Sequence, residues 1–224
     1  MPRHLDREID NLKRRVLSIS AVVEESVHSA VKALMERDSR LAAQVIEADA
    51  QVDQAEVDVE EEGLKIMALY QPVAIDLRFV MAVLKINSDL ERVGDMAANI
   101  AERAAFLAQH EPVEAPIDFR EMAEKAQTML RQSLDALVNL DPALALQVCA
   151  QDDEVDEINR QMYLRIQDAI RDRPERVEAL MHLLAVSRHL ERIADHATNI
   201  AEDVVYMVEG QIVRHRAADY QSQF

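Results

Sequence analysis

The sequence has few of the residues that interrupt helices or build sheets. Its 224 residues include three glycines, six prolines and no tryptophan, and aromatic residues make up 4% of the chain. Because few glycines and prolines leave few turns, the secondary-structure elements must be long. The apolar residues are mostly Ala, Val, Leu, Ile and Met, a mixture that favours helices over sheets. We therefore predict an all-α fold.

Cysteine and long apolar segments are also scarce. Cys149 is the only cysteine, which excludes an intramolecular disulfide and a thiolate metal cluster, and we expect a buried, inert thiol. The opening residues, MPRHLDREID, contain no apolar signal region, and no apolar run approaches the length of a membrane span. We expect a cytoplasmic protein that does not insert into a membrane and that reaches its inner face only through partners.

Basic residues are outnumbered, since 42 acids oppose 25 bases and the net charge is -17. A chain this acidic repels nucleic-acid phosphates, and it has no aromatic platform on which bases could stack. Direct nucleic-acid binding is therefore not expected. The natural partners of such a chain are cations or basic protein surfaces.

Helical patterns fill most of the chain; RDSR at 37–40 separates the first two, and proline-containing breaks separate the others. We predict helices at about 3–37, 41–69, 73–109, 118–139, 142–172 and 175–208, and the clearest linker is HEPVEAP at 110–116. Three helices, a linker and three more helices form an internal repeat. We predict two antiparallel three-helix bundles, residues 1–110 and 111–224, the second including a loosely held tail from Gly210. Little apolar surface should be shared between the halves. The alternative is one continuous six-helix bundle.

One acid-rich sequence segment occurs in both halves. Residues 89–102 read DLERVGDMAANIAE and residues 189–202 read HLERIADHATNIAE, which agree at 9 of 14 positions. Each segment lies on a predicted helix whose apolar residues alternate at spacings of four and three, as in a helix that packs along one face. The apolar positions are Ile86, Leu90, Val93, Ala97, Ile100, Ala104 and Leu107, and Val186, Leu190, Ile193, Ala197, Ile200, Val204 and Met207.

The repeated acids follow these apolar positions by one residue, so they form a polar stripe beside the core. A similar stripe lies on the second helix, where no base occurs from Glu47 to Glu62. Facing stripes would supply hard oxygen ligands, which suit Mg, Ca, Mn or Fe. We single out as candidate metal ligands Glu91, Asp95, Asn99, Glu191, Asp195, Asn199, Asp49, Asp53, Asp152 and Asp156. The bound ions could be divalent or iron-type (Mg, Mn, Fe or Zn).

Other interpretations of the acids stay open. They could form a solvated face neutralised by arginines, and the chain would then be a metal-free helical scaffold. A metal-storing or di-iron protein of ferritin-like type needs two E-x-x-H pairs, and the chain has one, Glu25 and His28. His196 could be a ligand, although a surface or capping position is the simpler expectation. No phosphate-binding glycine loop or nucleophile motif is present, so we predict no catalytic residues and no enzyme activity.

Two long segments resemble the signatures of the PhoU family of phosphate-transport accessory proteins. They are QPVAIDLRFVMAVLKINSDLERVGDMAANIAERA (71–104) and HLERIADHATNIAEDVVYMVEGQIVRH (189–215), and the resemblance extends to the opening LDREID. It implies a tandem pair of three-helix bundles. It also implies metal motifs in which two acids are four residues apart, at Glu91 and Asp95, Glu191 and Asp195, Asp49 and Asp53, and Asp152 and Asp156.

The resemblance also implies a role in the cell. Members of the family act as negative regulators that link the ATPase subunit of the phosphate ABC transporter to a sensor histidine kinase. They keep the phosphate-starvation response off when phosphate is plentiful. We therefore expect a non-enzymatic regulator of phosphate uptake and signalling that acts as a homodimer.

Overall fold

The computed structural model describes residues 2–113 and 118–212, and in these ranges the chain is all-α, as predicted. A 3₁₀ turn, Pro174–Arg176, precedes the last helix. The helices are α1 (Pro2–Glu36), α2 (Ser39–Tyr70), α3 (Ala74–Ala108), α4 (Arg120–Asn139), α5 (Pro142–Cys149), α6 (Asp152–Asp172) and α7 (Val177–Glu209). The predicted linker residues 114–116 and the tail from residue 213 lie outside the described residues.

The breaks between helices follow local sequence chemistry. Asp38 precedes α2 and accepts hydrogen bonds from the backbone N–H groups of Arg40 and Leu41. Asp141 caps α5 in the same way in the second half, and Pro142 occupies the first turn, where its missing N–H costs nothing. These side chains satisfy backbone donors that a helix leaves unpaired at its start. Gly210 ends α7 in a left-handed conformation, with φ 74°.

The fifth predicted helix, 142–172, is divided into α5 and α6 at Ala150 and Gln151. The backbone N–H of Gln151 donates to the carbonyl of Val148, three residues back. The side-chain amide of Gln151 donates hydrogen bonds to the backbone carbonyl of Gln147 and to Oε1 of Gln132 on α4. A side chain that occupies the i−4 carbonyl replaces the regular helical hydrogen bond and permits the break. The α5 and α6 helices together fill the place of one helix.

Two helices, α3 and α7, form the centre of the packing. In the first half α1, α2 and α3 contact one another, and in the second half α4, α5 and α6 contact α7. The α3 and α7 helices also pack against each other. They are antiparallel, because Asp89 meets His196 and, further along α3, Phe106 meets His182.

All fourteen predicted apolar positions on α3 and α7 are buried, which confirms the packed faces. The expectation of little shared apolar surface is wrong, because one core cluster contains buried residues of both halves. The reason is a second buried face on α3, which includes Ala82 and Met96 and carries Asp89 toward α7. The spacing of the fourteen positions describes only one face of each helix. The division into domains 1–110 and 111–224 stays a prediction.

Candidate metal centre

The first half brings three of the predicted ligands together across α2 and α3. One carboxylate oxygen each from Asp49, Asp53 and Asp95 lies within 4.8 Å of the other two. Asp49 and Asp53 are four residues apart on α2 and therefore share one face of that helix. Asp95 comes from the facing surface of α3. We call these three residues the first cluster.

Gly94 allows α2 and α3 to approach closely at this point. A Cβ atom at Gly94 would lie 3.0 Å from Cγ1 of Val52 and 3.6 Å from Oδ1 of Asp49. Val52 is buried between the two helices. Only a residue without a side chain leaves this contact relaxed, so Gly94 helps to place Asp95 beside the acids of α2.

Burial, and then neighbouring carboxylates, raise the pKa values of Asp49, Glu91 and Asp95. Burial raises the pKa of Asp49, and the charges of Asp53 and Asp95 raise it further. Burial is also the largest cause of the raised pKa of Asp95, with Asp53 adding to it. The pKa of Glu91 is raised by burial and by the charges of Asp95, Glu56 and Asp53. Glu91 therefore interacts electrostatically with the first cluster, although it lies outside the 4.8 Å group. A cation at this site would relieve these repulsions.

The second half builds a similar group from α6 and α7. One carboxylate oxygen each from Asp156, Glu191 and Asp195 lies within 4.8 Å of the other two. We call these residues the second cluster. Asp156 is contributed by α6, and Glu191 and Asp195 are four residues apart on α7. The two clusters differ in composition. The first takes two acids from α2 and one from α3, whereas the second takes one acid from α6 and two from α7.

The pKa values are shifted further in the second half. Burial raises the pKa of Asp195 to about 6, and the charges of Glu191 and Asp156 contribute. Burial also raises the pKa of Asp152 to about 6, with Asp195 and Asp156 as additional causes. Asp152 lies outside the 4.8 Å group and accepts a hydrogen bond from Oγ1 of Thr198 at 3.2 Å. It is therefore a neighbour of the second cluster that is already partly satisfied.

The two predicted asparagine ligands make other hydrogen bonds. Asn99 donates through Nδ2 to the backbone carbonyl of Asp95 at 2.7 Å. Asn199 donates through Nδ2 to Oδ1 of Asp89 on α3, at 3.3 Å. Both retain a side-chain oxygen as a possible ligand, but their amide nitrogens are held by neighbours. Three carboxylates in each cluster fit a hard cation that completes its coordination with water or further oxygen ligands.

Sequence reasoning missed the polar groups between α3 and α7. His196 is 6% exposed, so the expectation of a surface or capping position is wrong. Its Nδ1 lies 2.7 Å from Oδ1 of Asp89. Asp203 is also buried, and Nζ of Lys85 donates to it at 3.2 Å. A signal for the burial of His196 was present, because the equivalent residue of the first copy is the apolar Met96.

The other candidate groups are isolated. Glu25 and His28 line a groove of about 620 Å³ between α1 and α4. They belong to no group of three potential ligands within 4.8 Å in the part of the chain that the structure describes. Cys149 is partly buried rather than fully buried as expected, and burial raises the pKa of its thiol to about 12, which favours the protonated thiol over the reactive thiolate. Over the ranges 2–113 and 118–212, no helix is both long and apolar enough to cross a membrane.

Comparison with known proteins identifies the fold and the family. The model of the PhoU domain matches twice, at residues 16–104 and 119–204. A phosphate-specific transport system accessory protein PhoU homolog from Aquifex aeolicus is 40% identical over 212 residues, which is 95% of this chain and 96% of the homolog. A homolog from Pseudomonas aeruginosa is 36% identical over 214 residues, which is 95% of this chain and 88% of the homolog.

Solved structures agree with these matches. The crystal structure of PhoU from Pseudomonas aeruginosa superposes with a TM-score of 0.88 at 36% identity, covering 92% of this chain and 99% of that one. The phosphate transport system regulatory protein PhoU from Streptococcus pneumoniae gives a TM-score of 0.81 at 28% identity, covering 93% and 99%. Two domain matches, relatives of nearly equal length and the same helical architecture agree. The chain belongs to the PhoU family and is an accessory protein of phosphate transport.

Proposed function

We propose that this protein is a non-enzymatic negative regulator of the phosphate-starvation response. It would work in the cytoplasm, linking the ATPase subunit of the phosphate ABC transporter to a sensor histidine kinase. The observation that supports this role is the double PhoU match, together with relatives named as accessory proteins of phosphate-specific transport. The homodimer inferred from the family resemblance stays a prediction.

We also propose that the two acidic clusters hold metal ions. Their support is geometric, because each cluster gathers three carboxylates from two helices within 4.8 Å. Carboxylate oxygens suit hard cations such as Mg²⁺, Mn²⁺ or Fe²⁺. When bound, the ion would neutralise charge between α2 and α3 in one half and between α6 and α7 in the other. It would thereby strengthen the contact between the helices.

A deletion strain tests the regulatory role. Loss of the gene should switch on a phosphate-starvation reporter in phosphate-rich medium, and the wild-type gene on a plasmid should switch it off again. Asp135→Asn alters an exposed acid on α4 and serves as a complementation control that should also restore repression. A reporter that stays off in the deletion strain, with no second copy of the gene present, contradicts the proposed regulation.

Thermal melting tests metal binding in purified protein. Relative to a chelator baseline, Mg²⁺, Mn²⁺ or Fe²⁺ should raise Tm, and the gain should grow with cation concentration. In Glu91→Gln/Asp95→Asn the metal-free protein should be at least as stable as wild type, because a repulsion is removed. Its metal-induced gain should shrink, whereas Asp135→Asn should keep the full gain. No gain with any cation would identify the acids as a solvated face and the chain as a metal-free scaffold.

The same protein separates the regulator from a storage or di-iron protein. A regulator should bind a small, fixed number of ions, and it should show no appreciable ferroxidase or phosphatase turnover. Elemental analysis after gentle purification gives the number of ions bound. Appreciable turnover, or iron far in excess of two clusters, would favour the ferritin-like alternative.

A further inference from the structure

A groove of about 620 Å³ lies between α1 of the first half and α4 of the second. Its volume falls within the range of roughly 300–1,000 Å³ that is typical of ligand sites, many of which lie between packed helices. The buried side chains of Val27 and Leu130 contribute to its lining. None of its lining residues belongs to the first or the second cluster.

The α1 wall of the groove is acidic. It contains Glu24 and Glu25, and Glu124 of α4 adds a third carboxylate. Oε1 of Glu25 accepts a hydrogen bond from Oγ of Ser29 at 3.0 Å. Glu24 and Glu124 make no hydrogen bond or ion pair within residues 2–113 and 118–212. Arg131 is the one permanently charged base among the described lining residues, so the groove favours a cationic ligand.

The α4 wall of the groove offers hydrogen-bond donors, from Gln127, Thr128 and Arg131. Nε2 of Gln127 is buried and has no hydrogen-bond partner in the part of the chain that the structure describes. A buried N–H without an acceptor is unfavourable. The Gln127 side chain as a whole is only partly buried, so rotation about its last bond can turn the N–H toward the groove. This donor requires an acceptor oxygen, which a bare metal ion or a simple polyamine lacks.

We propose that this groove binds a basic, extended peptide segment of a partner protein. Such a segment carries both kinds of group that the two walls require. Its lysine or arginine side chains would pair with the carboxylates of Glu24, Glu25 and Glu124. Its backbone carbonyl oxygens would accept hydrogen bonds from the donors of α4.

The geometry of an extended chain suits this arrangement. Its carbonyl oxygens lie across the direction of its side chains, so one carbonyl can face Gln127 while the side chains point elsewhere. Lysine and arginine have long, flexible stems that cover apolar surface while the charged group stays in water. The stems can therefore lie over Val27 and Leu130 and bring their charges to Glu25, which is exposed.

Fluorescence anisotropy of the full chain tests the groove. The probe is a short labelled peptide of alternating alanine and lysine, capped at both ends and titrated with protein at constant ionic strength. Saturable binding should weaken at least about fivefold in Glu24→Gln/Glu25→Gln and in Gln127→Leu, which removes the donor at similar size. The matched control is Glu60→Gln/Glu61→Gln, an adjacent pair of exposed acids on α2, which should bind within about twofold of wild type. Glu91→Gln/Asp95→Asn should also retain binding, which separates the groove from the first cluster.

Two further ligands distinguish a peptide from cations in general. A peptide with glutamate in place of lysine should not bind, and spermidine should compete poorly because it has no carbonyl oxygen. Circular dichroism verifies that each variant is folded, and peptide-free Gln127→Leu should be at least as stable as wild type, because an unpartnered N–H is removed. Gln127→Met is the second variant should Gln127→Leu fail to fold. The proposal is overturned if the basic peptide does not saturate wild type, or if the control pair weakens binding as much as Glu24→Gln/Glu25→Gln does. It is also overturned if spermidine competes as well as unlabelled peptide, or if the folded Gln127 variant binds like wild type.

Discussion

At the scale of single residues, burial disfavours the negative charge on Asp195 of the second cluster and on its neighbour Asp152. The pKa of Asp195 and that of Asp152 are both raised to about 6, chiefly by burial. A carboxyl with a raised pKa in the folded state binds a proton more readily folded than unfolded. Its contribution to stability is therefore largest below about pH 3.8 and is lost as the pH rises through about 6.

Removing one of these charges should stabilise the metal-free protein at neutral pH. Asp195→Asn is expected to raise Tm by about 2–4 °C at pH 7.5 in EDTA, corresponding to about 1 kcal/mol after allowance for solvent screening. The advantage over wild type should shrink between pH 6 and pH 4, where Asp195 becomes protonated. Melting curves at pH 4, 6 and 7.5 measure it, with Asp135→Asn as an exposed-acid control. A variant less stable than wild type at pH 7.5 contradicts the assigned repulsion.

At the scale of helices, close approach decides which acids meet. Gly94 brings α3 against Val52 of α2, and the residue at the equivalent position of the second copy is Ala194. Ala194 is buried, so the second bundle accommodates a Cβ atom at a position where the first would have to shift Val52. The first cluster therefore depends on a glycine that contributes no ligand.

Enlarging Gly94 should damage both the packing and the metal response. Gly94→Val is expected to destabilise the protein by about 1–3 kcal/mol, the usual cost of overpacking a core. Since valine has a better helix propensity than glycine, a loss of stability must come from the contact with α2. Denaturant unfolding measures the loss, and melting with Mn²⁺ measures the response of the first cluster. Ala194→Val is the matched variant in the second half, and it should leave the first cluster's response intact.

The sequence predicted the helices better than it predicted their contacts. Proline breaks and spacings of three and four located six helical segments and the fourteen buried positions, because these signals are local. Gln151 was missed, since its interruption of the helix depends on Gln132 of a neighbouring helix. His196 was misplaced because only the antiparallel α3–α7 contact supplies Asp89 as its partner. Which acids form a cluster likewise depends on the distance between helices, which one helix's pattern does not contain.

At the scale of the whole molecule, both halves share one apolar core. Buried residues of α1 and α2 reach those of α4 and α6 through α3 and α7. Separating the halves would expose the second face of α3, where fully burying one large apolar side chain is worth about 1.5–3 kcal/mol. The two repeats should therefore stabilise each other.

This shared core predicts a single unfolding transition. Calorimetric and van't Hoff enthalpies should agree for the metal-free protein, and Gly94→Val in the first half should lower the same transition that Asp195→Asn in the second half raises. Differential scanning calorimetry makes the measurement. Two resolved transitions, each moved by only one of the variants, would show that residues 1–110 and 111–224 unfold independently.

The antiparallel contact of α3 with α7 also bears on why the two copies are joined in one polypeptide. If two identical halves associated through this surface, every contact would occur twice, and position 89 would face position 96 at both ends. Asp89 faces His196 at one end, while Met96 stands opposite His189 at the other. Covalent linkage allows each copy to diverge, so the two ends of the contact can differ: one end has hydrogen-bonded polar pairs, and the other has buried histidine nitrogens without a partner among the described residues. Two identical subunits would carry the same residues at both ends of this contact.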